Sequence, residues 1–177
     1  MKQLTIFLFS IISLALTGQV RWLTVQEAAA AQKVKPKKVL IYFFDKNCSP
    51  CDEMMSSTFN HPQIAQQLNS AYYNVKFDAK SGENFNVRGR NFENSEKRES
   101  KKNRTMHDFA KYMNVNAVPS IVFLDEHLQT ITLLQGEITA AELEPYISFI
   151  ANDDYKKITT REQWQTYQRK FKSTIKR

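Results

Sequence analysis

Both cysteines of the chain, Cys48 and Cys51, lie between a predicted strand and a predicted helix. Residues 39–44 are all β-branched, aliphatic or aromatic, which is typical of a buried strand. Residues 52–55 begin with two carboxylates, which favour the first turn of a helix because its amino-terminal end carries partial positive charge. The unpaired N–H groups of that turn stabilise a thiolate at Cys48. Since a thiolate is the nucleophile of disulfide exchange, the sequence predicts a reactive sulfur at this junction.

Residues 1–18 have the composition of a secretory signal peptide. Lys2 precedes a mostly apolar run from Leu4 to Leu16, and Thr17 and Gly18 are small enough for cleavage. About a dozen apolar residues are too few to cross a bilayer, so no stable membrane span is expected. The sequence therefore predicts export to the periplasm or cell envelope, and an uncleaved membrane anchor is the alternative.

Export affects the interpretation of the cysteine pair, because disulfides persist in exported proteins and are reduced in the cytosol. A purely structural disulfide is one alternative, but closing so short a loop restrains the unfolded chain little. A zinc site is another, but His61, His107 and His127 lack the spacing of metal ligands. We therefore predict a working redox pair with no metal and no other cofactor.

A second motif, Val118-Pro119 followed by the apolar residues 121–124, lies far along the chain. The order of strand, Cys-x-x-Cys and helix resembles thioredoxin, and this X-Pro dipeptide resembles the cis-proline element of the thioredoxin-like superfamily. Residues 54–78 are similar to a bacterial subgroup of that superfamily. The resemblance implies an α/β fold with a central mixed sheet flanked by helices.

The same resemblance implies roles for individual residues. Cys48 would attack, Cys51 would resolve the mixed disulfide, and Pro119 would face the disulfide. The backbone of Val118 could pair with an extended substrate segment, as in strand addition. These four residues are the predicted catalytic and substrate-positioning groups.

The residues around the cysteines depart from thioredoxin at two positions. Asn47 stands where thioredoxin has Trp, and Tyr42 aligns with a buried Asp of thioredoxin. Ser49 and Pro50 shape the motif, since Pro50 restricts the backbone and lacks an N–H donor. These features leave the direction of electron flow open.

The thioredoxin-like domain is predicted to span residues 19–152, with an insertion at 79–105. The Gly and Asn residues and the dense charges at 93–104 favour a surface insertion, within which Arg88-Gly89-Arg90 could turn a short hairpin. Partner recognition and a charged loop without a specific role are both open for it. His107 falls on the next predicted helix, where we expect it to face solvent or a polar contact.

A basic helical extension is predicted for residues 153–177. Its Trp164, Tyr167 and Phe171 have helical spacing and are expected to dock it on the domain. The net charge of +7 and the basic end suit a solvated helix face, an acidic partner or a membrane surface. Without a stacking platform or binding motif, they do not indicate nucleic acid.

Two functions from different classes are consistent with these features. The first is an exported thiol–disulfide oxidoreductase, favoured as a reductant or isomerase-like enzyme, which acts on protein thiols or disulfides and is recycled by a redox partner protein. The second is a binding or chaperone-like module that kept the fold while Asn47 and Tyr42 changed its catalytic surface. A membrane-tethered electron relay is a third, if residues 1–18 stay attached.

Overall fold

The computed structural model describes residues 18–94 and 105–175. Residues 1–17 of the predicted leader and residues 95–104 of the predicted insertion lie outside the described residues. In chain order the elements are β1 (Trp22–Leu23), α1 (Val25–Val34), β2 (Lys38–Phe44), α2 (Ser49–Glu53), a π-helix (Met54–Phe59), α3 (Pro62–Ala71), β3 (Tyr72–Asp78), β4 (Phe85–Val87), β5 (Arg90–Phe92), α4 (Asp108–Tyr112), β6 (Ser120–Leu124), β7 (Thr130–Gln135), α5 (Ala140–Ala151), a 3₁₀ turn (Asp154–Lys156) and α6 (Arg161–Lys170).

Five strands form a mixed sheet in the order β1-β3-β2-β6-β7. The strands β1, β3 and β2 run parallel, whereas β6 and β7 are antiparallel to their neighbours. Because parallel strands need a crossover connection, the segment from α2 to α3 carries the chain from β2 to β3. The predicted α/β fold with a central mixed sheet is confirmed.

Side chains of β2 alternate between the two faces of the sheet, and helices pack on both faces. Leu40 and Tyr42 belong to a core shared with α2, the π-helix, α3 and α5, which we call the redox face. Ile41 and Phe43 belong to a core shared with α1, α4 and the β4–β5 hairpin, which we call the hairpin face. The central strand is therefore buried on both sides, as its apolar composition predicts.

Three helices begin with capping boxes. Thr24, Thr139 and Thr160 each accept a backbone N–H from the third residue of the helix, and the side chain of that residue bonds back to the cap backbone. Each box satisfies N–H groups that the helix itself leaves unpaired. The starts predicted for these helices are confirmed.

The β4–β5 hairpin corrects the expectation that residues 79–105 lie on the surface. Phe85 and Phe92 are buried in the hairpin face, and the ring of Phe109 lies 5.4 and 5.2 Å from theirs. Asn94 is also buried, and its amide donates to the carbonyl oxygens of Ser81 and Thr105. The hairpin alternates apolar and polar residues, so one face packs on the core while its charges remain outside.

His107 is also more buried than expected. It is the N-cap of α4, and its Nδ1 accepts the N–H of Phe109 at 3.0 Å. Its Nε2 therefore carries the proton and donates to the carbonyl of Glu83 at 2.8 Å. Of the two predicted alternatives, solvent or a polar contact, the polar contact is confirmed, because this ring links the segment before the hairpin to α4.

The C-terminal extension docks on α5 through aromatic rings. The ring centre of Trp164 lies 4.7 Å from that of Tyr146 and 4.8 Å from that of Phe149, as the spacing predicts. Beyond α6, Ser173 and Thr174 bond to the buried carboxylate of Glu144. Within the described part of the chain, no helix is long and apolar enough to cross a membrane.

Candidate redox site

Cys48 and Cys51 form a disulfide at the start of α2, with 5.2 Å between their Cα atoms. Cys48 is the N-cap residue, and its Sγ accepts the N–H of Cys51 at 3.2 Å. Its carbonyl accepts the N–H groups of Cys51 and Asp52. A backbone donor aimed at Sγ favours the charged form of a thiol, so the structure supports the thiolate predicted for Cys48 after reduction.

The two sulfurs differ in their access to solvent. Cys48 is half-buried, whereas Cys51 is 1% exposed in the core of the redox face. Ser49 and Pro50 fill the first two positions of α2, where the missing N–H of Pro50 costs no helical hydrogen bond. An incoming thiol or disulfide therefore reaches Cys48 first, with Cys51 behind it.

Tyr42 fills the buried position where thioredoxin has Asp. Its hydroxyl donates to the carbonyl oxygen of Cys51 at 2.9 Å, and its ring packs against those of Phe59, Trp22 and Phe44. Burial, with a smaller contribution from the charge of Asp52, raises the pKa of Tyr42 above its ordinary value. Tyr42 therefore stays neutral and holds the peptide of Cys51 rather than removing the proton from its thiol.

The loop before Cys48 is tied to the loop after β3. Buried Asp45 accepts the N–H of Asn47 at 3.1 Å and forms an ion pair with Lys80 at 2.7 Å. Burial alone would raise the pKa of Asp45, but the bond from Lys80 and the N–H groups of Asn47 and Lys46 outweigh it, so its pKa lies below the ordinary value. Asp45 is thus a charged anchor for the cysteine loop.

Two polar side chains beside the motif project into solvent. Asn47 is exposed, so the position of the thioredoxin Trp carries a solvated amide. Lys46 is 77% exposed and lies 3.9 Å from a carboxylate oxygen of Asp78. An ion pair at this distance and exposure contributes little to stability.

Val118 and Pro119 lie at the same end of the sheet as the cysteine loop. The Val118–Pro119 peptide bond is cis, as predicted. Ser120 pairs with Phe43, which places Pro119 beside the end of β2 from which the loop leaves. The Pro119 carbonyl accepts the N–H of Gly136 at 2.9 Å, and Gly136 has a φ of +95°. The roles of Val118 and Pro119 toward a substrate stay predictions.

The predicted site residues therefore lie at one end of the sheet. Three further features of the site were not predicted from the sequence. The bond from Tyr42 to Cys51, the anchor formed by Asp45 and Lys80, and the π-helix behind α2 all depend on tertiary packing or backbone pairing. The departure of Tyr42 from thioredoxin was the one signal that could have indicated the first. Among the described residues, no cluster of three or more His, Cys, Asp or Glu side chains could hold a metal ion.

The fold and the Cys48–Cys51 pair define a thiol–disulfide oxidoreductase. The family model described as a thioredoxin-like domain matches residues 25–151, so the chain belongs to the thioredoxin-like family. A comparison with curated proteins found no match.

Solved structures share this fold at low sequence identity. A thioredoxin-fold protein from Helicobacter pylori is 17% identical with a TM-score of 0.59, covering 76% of this chain and 81% of that one. A thioredoxin from Thermus thermophilus is 18% identical with a TM-score of 0.56, covering 75% and 88%. A structure described as DsbH oxidoreductase is 17% identical with a TM-score of 0.50, covering 76% and 84%. These likenesses establish the fold.

Proposed function

We propose that the protein is an exported thiol–disulfide oxidoreductase that exchanges disulfides with protein substrates, as a reductant or isomerase-like enzyme. The observation that carries the proposal is the asymmetry of the pair: half-exposed Cys48 Sγ accepts the Cys51 N–H, and Cys51 lies buried behind it. This is the arrangement that a two-step exchange requires, with one accessible nucleophile and one internal resolving thiol.

In the reductive direction, the Cys48 thiolate attacks one sulfur of a substrate disulfide. A Cys48–substrate mixed disulfide forms, and the other substrate sulfur leaves as a thiolate. Cys51 then attacks Cys48 Sγ, which forms the internal disulfide and releases the second substrate thiolate. Two electrons pass to the substrate, and the proton of Cys51 goes to water or to a departing thiolate, because Tyr42 is bonded to the Cys51 carbonyl. A dithiol partner protein then restores the reduced pair.

Trapping tests this mechanism directly. In Cys51→Ser the mixed disulfide cannot be resolved, so Cys48 should retain protein substrates that dithiothreitol releases. Cys48→Ser is the matched control, because its remaining thiol is buried, and it should trap none. Failure of Cys51→Ser to trap any protein, together with failure of the parent chain to reduce insulin, would overturn the proposed activity.

The export part of the proposal is supported by the composition of residues 1–18. N-terminal sequencing of the protein recovered from the periplasm should show cleavage near residue 18. An intact N-terminus on protein found only in the membrane fraction would favour the tethered electron relay.

A binding or chaperone-like module is the second candidate, and the exposed Asn47 in place of an aromatic platform favours it. The double variant Cys48→Ser/Cys51→Ser separates the two functions, since it keeps the fold without redox chemistry. Full complementation of a deletion strain by this variant would support binding, and loss of complementation supports catalysis.

A further inference from the structure

An apolar cavity of about 450 Å³ lies within the hairpin face. Its walls come from α1, the sheet, the hairpin and α4, with Val25, Ala28 and Ile41 among the lining residues. All three belong to the hairpin-face core, on the opposite side of the sheet from Cys51 and Tyr42. The cavity is therefore separate from the redox site, and its volume falls in the range of roughly 300–1,000 Å³ that small-molecule sites occupy.

Two arginines of the hairpin stand at the mouth of this cavity. The guanidinium carbon of Arg90 lies 4.2 Å from the ring centre of Tyr112, a lining residue that is 52% exposed. The guanidinium of Arg88 donates a hydrogen bond to the carbonyl oxygen of His127 at 3.3 Å, and His127 precedes the lining residue Leu128. Both arginines are exposed, and each guanidinium has five N–H donors, so each keeps donors for a ligand.

Three uncharged polar side chains, those of Gln32, Gln129 and Thr130, line the cavity; Gln129 and Thr130 are exposed, and Gln32 is already engaged. The Gln32 side chain accepts the N–H of Lys37 at 2.6 Å and donates to the carbonyl of Glu126 at 3.3 Å. The lining beyond it is dominated by aliphatic and aromatic side chains. An occupant must therefore be apolar along its length and negatively charged at the end that meets Arg88 and Arg90, since guanidinium groups bind carboxylates through paired hydrogen bonds.

We propose that the hairpin face is a binding site for a single-chain fatty carboxylate, with its alkyl chain in the cavity and its carboxylate on Arg88 and Arg90. This site gives the inserted hairpin a function, because the hairpin supplies one wall and both arginines, Arg88 in its turn and Arg90 in β5. Binding there is independent of disulfide exchange, so the fatty-acid site and the redox activity succeed or fail separately.

A homologous ligand series tests the proposal on the full chain. Octanoate, decanoate and dodecanoate are titrated by calorimetry, with the alcohols of the same chain lengths as neutral controls. The Kd should fall about fourfold for each added methylene until the cavity is full. Carboxylates should bind more tightly than the matched alcohols. Equal affinity for both, or no dependence on chain length, would overturn the proposal.

Variants localise the binding. Arg88→Gln/Arg90→Gln should weaken carboxylate binding about tenfold and leave alcohol binding nearly unchanged, because only the charged contacts are lost. The control Arg161→Gln/Arg169→Gln removes the same charge from exposed positions on α6 and should have no effect. An equal loss in both double variants would show diffuse attraction to a basic protein and would contradict a defined site.

Filling the cavity provides a second test. Ala28→Leu adds volume at a buried lining position of α1 and should weaken the binding of every ligand of the series. Ala30→Leu places the same substitution on the exposed side of that helix and should bind like the parent. All chains share residues 1–18, so differences between them report on the cavity. Unchanged binding in Ala28→Leu, with unchanged melting temperature and disulfide exchange, would contradict the proposed location.

Discussion

The two faces of the sheet differ in the groups that they pack against the central strand β2. On the redox face, aromatic rings pack around Tyr42, and its hydroxyl donates a hydrogen bond to the carbonyl oxygen of Cys51. On the hairpin face, Val87 and Phe92 line an apolar cavity whose mouth carries Arg88 and Arg90. One strand thus supports a covalent redox centre on one side and a cavity on the other.

This difference shows how a charged hairpin segment can become part of a fold through the aromatic rings on its inner side. The thioredoxin-like family model matches residues 25–151, a range that includes elements of both faces. The hairpin face adds a second aromatic cluster in which Phe85, Phe109 and Phe77 are held in mutual contact. Variants on the two faces should therefore have different consequences, and three of them test the contrast.

The largest effect is expected for Phe85→Ala on the hairpin face. The side chain is buried against Phe77, Phe109 and His107, and removing it leaves a cavity that costs about 3–5 kcal/mol of unfolding free energy. Urea denaturation measures the loss. Asn84→Ala, at the exposed position directly before β4, is the control. Equal stability of the two variants would show that the hairpin lies on the surface without supporting the core.

An intermediate effect is expected for Glu144→Gln on the redox face. Burial alone would raise the pKa of Glu144, but hydrogen bonds from Ser173, Thr174 and Gln67 outweigh it, and its pKa lies below the ordinary value of a glutamate. A carboxylate with a lowered folded pKa contributes stability above its unfolded pKa, and that contribution is lost as the pH falls through the folded pKa.

The parent chain should therefore lose stability below about pH 4.5, and Glu144→Gln should be less stable by about 1.5–3 kcal/mol at neutral pH. The difference between the two should shrink on acidification. Glu162→Gln, at an exposed position of α6, is the control. A difference that is constant with pH would mean that the charge of Glu144 does not hold residues 173–175.

The smallest effect on stability is expected for Tyr42→Phe, which removes only the hydroxyl bonded to Cys51. Tyr72→Phe is the matched control, because its buried hydroxyl donates to the carbonyl of Ile147 at 2.7 Å. Each variant should lose about 1 kcal/mol of stability.

The reduction potential should separate these two tyrosines. We expect the bond from Tyr42, which is present in the disulfide form, to weaken when reduction separates the two sulfurs, so its loss should make the potential less negative, by on the order of 10–20 mV. Tyr72→Phe should leave the potential unchanged. Equal potentials in both variants and the parent would restrict Tyr42 to a packing role.

The sequence predicted most of this fold because its local signals agree. The strand at residues 72–78, the capping boxes at Thr24 and Thr139, and the cis bond at Pro119 each have short-range signatures. β1 was not predicted, because a strand of two residues shows no periodicity in the sequence. The π-helix was not predicted, because it is defined by backbone hydrogen bonds and not by a pattern of side chains.

Contacts distant in sequence set the rest of the site. The dense charge around the hairpin predicted a surface segment. Phe85 and Phe92 alternate with polar residues, a pattern that fits a hairpin with one buried side. The anchor between Asp45 and Lys80 joins two loops that only the pairing of β2 with β3 brings together. Such contacts depend on tertiary geometry, which no local pattern encodes.

The reduction potential of the Cys48–Cys51 pair, measured by equilibration with glutathione, tests the central claim most directly. Thioredoxin-fold enzymes that exchange disulfides span about −270 to −120 mV, and structural disulfides lie below about −300 mV. A working redox pair predicts a value within the first range and complete, reversible titration. A value below about −300 mV would contradict the account and make the disulfide a structural one.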